Sequence, residues 1–209
     1  METRSVIKRR KISKLPTATF EELPDEIILQ VFTHLEFYDN ASASRVCRRW
    51  KLLSEDQSLW QNISLNGREV PAKFIEKSLR HGCQYLDLEY IHIENVPGPN
   101  SFSIPNRLKY LSISCDNEDE HYEVLMKNLL GATQFLEKLS IRCDREYGCH
   151  FQPNILQNYQ TLTVLRIVGL KSLTFETVKF IFTNCLELTE VSLEVRVSCH
   201  SIIRMLISK

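Results

Sequence analysis

Residues 23–60 read LPDEIILQVFTHLEFYDNASASRVCRRWKLLSEDQSLW. A Leu-Pro pair followed by two acids is how a helix start is written. Proline is tolerated in the first turn, and carboxylates favour the positive end of the helix dipole. Ile27, Ile28, Val31, Phe32 and Leu35 then fall at i, i+1, i+4, i+5 and i+8, on one face of that helix. A second apolar set follows with Val46, Trp50, Leu53, Leu59 and Trp60, and it holds both tryptophans of the chain. A segment this short cannot bury two apolar faces and two indoles by itself. An apolar patch left uncovered on this scale marks a protein–protein contact.

Working outward toward the C-terminus, the period changes. Cys83-x-x-Leu86-x-Leu88 recurs as Leu108-x-x-Leu111-x-Ile113, Leu136-x-x-Leu139-x-Ile141, Leu162-x-x-Leu165-x-Ile167 and Leu188-x-x-Val191-x-Leu193. Counted at the middle position, the steps are 25, 28, 26 and 26 residues. A weaker copy, Trp60-x-x-Ile63-x-Leu65, lies 23 residues before the first. This is the period and pattern of leucine-rich repeats. Each motif alternates apolar and polar, so it reads as a strand with one buried face.

Helical spacing appears between the motifs at Phe74-Ile75-Leu79, Tyr122-Leu125-Met126-Leu129-Leu130, Ile155-Leu156-Tyr159 and Val178-Ile181-Phe182. One strand plus one helix cannot bury its apolar side alone, but stacked copies share a core. The expected fold class is α/β: three short N-terminal helices, then a short leucine-rich-repeat solenoid. Its parallel sheet lines the concave side, with helices on the convex side. Ser201 to Ile207 is expected to form a helix after the last strand.

The stretch from Leu23 to Trp60 resembles an F-box: Leu-Pro-x-Glu-Ile-x-x-x-x-Phe-x-x-Leu, then Val-Cys-x-x-Trp, then Asp-x-x-Leu-Trp. Leu23, Pro24, Glu26, Ile27, Phe32, Leu35, Val46, Cys47, Trp50, Leu59 and Trp60 fit, with Asp56 close to the acid before Leu-Trp. Asn40 and Ala41 depart from the pattern, standing where the family has apolar residues, which predicts a weakly packed second helix. Leu59-Trp60-Gln61-Asn62-Ile63-Ser64-Leu65-Asn66-Gly67 also resembles the junction in F-box proteins with leucine-rich repeats, the class that includes S-phase kinase-associated protein two. Cys83 and Cys185 sit where the cysteine-containing repeats of that class carry theirs. The resemblance implies a Skp-type adaptor as partner, and through it a cullin-RING scaffold. It implies that Leu23, Pro24, Ile27, Ile28, Val31, Phe32, Leu35, Trp50 and Trp60 lie at or near the adaptor. The expected organisation is a flexible basic tail over 1–18, the F-box over 19–61 and about five to six repeats over 62–209.

Apolar residues make up 43% of the 209, and charged residues 25%, as in a soluble globular protein. The formal net charge is zero, which gives no bias toward nucleic acid or membrane, and neither is expected as a partner. The zero hides an asymmetry. Within residues 1–18, Arg4, Lys8, Arg9, Arg10, Lys11 and Lys14 face Glu2 alone. The Lys8–Lys11 cluster suits nuclear import or an anionic surface. No apolar run reaches the length of a spanning helix, and no export signal is visible. Seven cysteines without such a signal read as reduced thiols, so a cytoplasmic or nuclear location, or both, is expected.

No bond chemistry is expected, and no cofactor. Cys143, Cys149 and His150 offer three ligands where structural zinc takes four, and no close cysteine pair is present. A Cys/His nucleophile would need a base oriented by a third group. There is no Gly-rich phosphate loop, serine elbow or His-Glu metal helix. Asp116, Glu118, Asp119 and Glu120 lack the alternation and glycine turn of a calcium loop. The surface suited to selecting a target is the concave sheet. Its outward positions include Tyr85, Asp87, Tyr110, Lys138, Arg142, Arg166 and Glu190. Neighbouring strands lie about 4.8 Å apart, so Lys138, Arg142 and Arg166 could clamp an acidic or phosphorylated segment.

These expectations combine into a non-catalytic substrate-recognition subunit of an SCF-type ubiquitin ligase, which works by proximity. Two rivals stand beside it: a decoy that occupies the adaptor without delivering a target, and a repeat scaffold unconnected with ubiquitin.

Overall fold

The computed structural model describes residues 19–95, 107–114, 128–133, 135–143, 153–198 and 201–208. The basic cluster at Lys8–Lys11, the acidic run from Asp116 and the Cys149–His150 pair lie outside them. The chain divides into two units, Met1–Ser54 and Glu55–Lys209. The division falls seven residues before the boundary expected at 61, so Leu59 and Trp60 belong to the second unit.

In the first unit a 3-10 turn, Phe20–Glu22, leads through Leu23 into α1 (Asp25–Thr33). The amides of Ile27 and Ile28 both donate to the Pro24 carbonyl, and Asp25 and Glu26 occupy the first turn as the dipole favours. Two more helices follow, α2 (Phe37–Ala43) and α3 (Arg48–Ser54). Helix α3 packs against both of the others. Its Trp50 ring meets Phe32 edge-on at 5.4 Å and Phe20 at 5.8 Å, a favoured geometry for aromatic pairs. Among the described residues of α2 only Ala43 is buried. Asn40 Nδ2 donates to the Phe32 carbonyl at 3.2 Å, tying α2 to the end of α1 by a polar contact in place of an apolar one.

The second unit carries a seven-stranded sheet in the order β1-β3-β5-β6-β7-β8-β9 and a two-stranded parallel sheet of β2 with β4. The strands are β1 (Asn62–Ser64), β2 (Glu69–Pro71), β3 (Tyr85–Leu88), β4 (His92–Glu94), β5 (Tyr110–Ser114), β6 (Lys138–Arg142), β7 (Val164–Leu170), β8 (Glu190–Ser198) and β9 (Ser201–Ser208). All neighbours from β1 to β8 are parallel, and the register follows the sequence motif. Ile63, Leu86, Leu111, Leu139, Leu165 and Val191 form one row across six strands. Every one of them is buried. The intervening segments supply α4 (Ala72–Arg80), a helical stretch over 128–132, a 3-10 helix Pro153–Asn158 and α5 (Phe175–Asn184). Their Ile75, Leu79, Leu129, Leu130, Leu156 and Ile181 are buried with the strand residues. Tyr122, Leu125 and Met126 lie outside the described residues.

Among the described residues, Gly82 and Gly169 combine a positive φ with a close neighbour. Gly82 (φ +83°) follows α4, where its amide donates to the Leu79 carbonyl and that of Cys83 to the Ser78 carbonyl. This pair of bonds is the Schellman ending, which needs a left-handed residue. Gly169 (φ +81°) sits at the irregularity between β7 and β8, and a Cβ there would lie 1.7 Å from the Cys143 carbonyl oxygen.

The C-terminal expectation is corrected. Ser201–Ser208 is a strand, antiparallel to β8, with Ser198 opposite Ser201 and Glu190 opposite Ser208. The open edge of a sheet presents backbone donors and acceptors that need partners. Ile202, Ile203 and Ile207 are β-branched, which favours a strand. At this length strand and helix compete, and the edge decides in favour of the strand.

Candidate functional site

Helix α1 carries two apolar stripes about 100° apart. The inner stripe, Ile28 and Phe32, is fully buried, with Ile28 at 0% exposure. The outer stripe, Ile27 and Val31, is left 43% and 37% exposed. Pro24 precedes that stripe and is exposed, while Leu23 and Leu35 are half-buried. Phe20, Tyr38, Val46 and Leu52 add further exposed apolar side chains in the same unit. The expected adaptor residues therefore separate into two groups. Leu23, Pro24, Ile27, Val31 and Leu35 offer surface. Ile28, Phe32 and Trp50 build the small core behind it.

Arg49 was not singled out by sequence, and it organises this lead-in. From α3 its Nε donates to Asp25 Oδ1 at 2.7 Å and its Nη1 to the Glu21 carbonyl at 2.9 Å. Its Nη2 donates to the Leu23 carbonyl. One planar guanidinium thus spans the segment that presents Leu23 and Pro24. The only sequence signal was a basic pair before Trp50, and nothing in it distinguishes Arg48 from Arg49.

Trp60 is placed elsewhere. It is 7% exposed and packs within the second unit, stacked on His81 at 4.5 Å and tilted against Phe74 at 5.7 Å. Lys77 Nζ lies 4.7 Å from its ring centroid, a cation–π distance. Lys77 also pairs with Glu55 Oε1 at 2.8 Å, and His81 Nε2 meets Glu55 Oε2 at 2.8 Å. The Lys77 hydrogen bond, helped by His81 and opposed by burial, holds the Glu55 carboxyl below its usual range. The surroundings of Trp60 are those of a packing residue.

The expected target-facing residues lie on the opposite face of the sheet from the buried row. Tyr85, Tyr110, Lys138, Val164 and Glu190 are register neighbours, as are Asp87, Ser112, Ser140 and Arg166. The Tyr85 and Tyr110 rings stack at 4.1 Å with an interplanar angle of 1°. Burial, then the neighbouring Tyr110, pushes the Tyr85 phenol up to about 12. Asp87 accepts from Asn66 Nδ2 at 3.1 Å and from the Glu89 amide at 3.2 Å. Glu89 takes Ser112 Oγ at 2.6 Å on one oxygen and Arg142 Nε at 3.1 Å on the other. Arg142 is therefore engaged within the sheet, whereas Lys138, Arg166 and Glu190 are exposed.

Cys83, Cys143 and Cys185 are buried, and burial pushes Cys83 up to about 12. Among the described residues no group of three or more His, Cys, Asp or Glu is placed to hold a metal ion. No helix among them is long and apolar enough to cross a membrane.

A helical lead-in with a half-exposed apolar stripe is followed by parallel repeat strands, and residues 20–66 match the F-box-like family. Among curated proteins the chain is similar to F-box/LRR-repeat protein 12 of Homo sapiens, 46% identical over 48 residues, which are 23% of this chain and 15% of that protein. It is also similar to Protein ARABIDILLO 1 of Arabidopsis thaliana, 25% identical over 122 residues, 58% of this chain and 13% of that protein. F-box/LRR-repeat protein 21 of Mus musculus is 26% identical over 95 residues, 45% of this chain and 21% of that protein. The matched stretches span less than a quarter of each of these three relatives.

Proposed function

We propose that this chain is the target-recognition subunit of an SCF-type cullin-RING ubiquitin ligase. The F-box-like unit binds a Skp-type adaptor, which connects it to the cullin, and the repeat sheet binds a protein target. The observation that carries this reading is the half-open α1, whose Ile27 and Val31 remain exposed beside the Leu23-Pro24 lead-in while Ile28 is closed off. Interface cores are built from apolar side chains of this kind. The target-facing part rests on Tyr85, Asp87, Tyr110, Lys138, Arg142, Arg166 and Glu190 sharing one sheet face, with Lys138, Arg166 and Glu190 most open to a partner.

In this reading the protein is not an enzyme and takes no cofactor. Its contribution is proximity, because a tethered target meets a ubiquitin-charged enzyme at high effective concentration. Its place of work is the cytoplasm or nucleus. The test is capture from lysate with the tagged chain, comparing wild type with Leu23→Ala/Pro24→Ala. Adaptor and cullin recovered with wild type alone support the reading. Their absence with wild type removes it and leaves the scaffold.

A further inference from the structure

Arg49 stands apart among the side chains of the first unit, because all its described bonds run to one short segment, 21–25. That segment has no regular backbone ladder of its own. It turns from the 3-10 helix into α1 through Leu23 and Pro24, both in extended conformation, and proline brings no N–H. Two of its carbonyls, Glu21 and Leu23, are taken up by the guanidinium, and Asp25 closes the third side. Other ties are the Glu22 amide on the Thr19 carbonyl at 3.0 Å, the Glu22 carboxylate on the Thr19 amide at 3.3 Å, the Pro24 carbonyl accepting from Ile27 and Ile28, and the edge contact of Phe20 with Trp50. The α1 core, by contrast, rests on the buried apolar side chains of Ile28 and Phe32.

We infer that Arg49 is a positioning residue that latches the Leu23-Pro24 lead-in in its docking conformation, so that affinity for the Skp-type adaptor depends on a side chain that need not touch the adaptor. This rests on the proposed adaptor contact. A planar fork of five donors can hold two carbonyls and a carboxylate together, whereas the lysine ammonium is a point charge on a flexible stem. Lysine keeps the attraction to Asp25 and loses the fork. If release of the latch leaves the lead-in competent about one-tenth of the time, apparent affinity falls about tenfold with the contact surface unchanged.

The experiment uses the full chain and purified Skp-type adaptor, with titration calorimetry for affinity and hydrogen exchange read by segment, on wild type, Arg49→Gln, Arg49→Lys and Asp25→Asn. The expected result is a roughly tenfold loss for Arg49→Gln, a smaller loss for Arg49→Lys and the smallest for Asp25→Asn. Exchange should speed up in 20–25 and stay unchanged across 26–54. Wild-type affinity in Arg49→Gln overturns the latch while leaving the adaptor reading intact. Faster exchange throughout 26–54 also overturns it, because Arg49 would then hold up the fold and not the lead-in. Failure of wild type to bind the adaptor overturns the adaptor reading, and the latch with it.

Discussion

The two stripes of α1 can be separated by mutation. Ile28→Ala removes a side chain that is wholly buried, and such truncations cost about 2–5 kcal/mol of stability. Ile27→Ala with Val31→Ala acts on side chains that are 43% and 37% exposed. Ile→Ala removes three carbons and Val→Ala two, at about 0.8 kcal/mol per carbon when fully buried. Scaling by the exposed fractions, a partner that covers both side chains gains about 1.6 kcal/mol, so the double variant should bind roughly 15-fold more weakly. Its own folding should lose less than Ile28→Ala does. Urea unfolding gives the stabilities and calorimetric titration with purified Skp-type adaptor gives the affinities. The reasoning fails if the double variant binds as wild type does, or if it destabilises the fold more than Ile28→Ala.

Gly169→Ala should cost about 3 kcal/mol or more, since an L-residue there is strained and its Cβ meets the Cys143 carbonyl oxygen at 1.7 Å; a loss under about 1 kcal/mol by urea unfolding would contradict the close approach. Tyr159→Phe should cost about 1–2 kcal/mol in the same assay, because the buried hydroxyl donates to the Leu130 carbonyl and meets Thr133 Oγ1 at 3.0 Å; an unchanged midpoint would count against that network. Glu55→Gln should cost only about 0.5 kcal/mol near neutral pH, since the carboxylate is well solvated. Because the folded Glu55 titrates below its usual range, its contribution is present above the ordinary carboxylate pKa and disappears as pH falls through the lowered one. The wild-type advantage over Glu55→Gln should therefore close in acid, and an advantage that grows as pH falls would reverse the assigned sign.

The repeat register was legible because burial at period 2 punishes any slip. Moving a strand by one residue would turn Leu111 or Leu139 outward, so the apolar residue at the middle of each motif had to form one row. Uneven steps between motifs did not blur this, since the extra residues fall in the connections and leave the strands in line. The C-terminus was not legible for the opposite reason. Ser201–Ser208 belongs to no repeat, and its structure depends on an unpaired edge that the segment itself does not encode. Trp60 shows the same limit. Its place in the motif suggested the first unit, but its partners Phe74 and Lys77 lie on α4 and His81 just after it, and that pairing emerges only in three dimensions.

The site divides along the same line. Apolar spacing marked the whole α1 face, yet it could not separate Ile27 from Ile28, because adjacent residues on a wide stripe have equal claim to the core. What separates them is where α3 lies, with Trp50 against Phe32. On the sheet, alternation placed Lys138, Arg142 and Arg166 on one face, but charge alone could not show that Glu89 already holds Arg142. Ser112 donates to the other oxygen of the same carboxylate, a contact that spans three segments of the chain and that no local pattern encodes. The cationic cluster narrows to Lys138 and Arg166, one strand apart and two residues offset, with Glu190 on the strand beyond. A target segment read there would meet two cations and an acid in sequence. Selection by such a surface would depend on the order of charges along the target more than on its total charge.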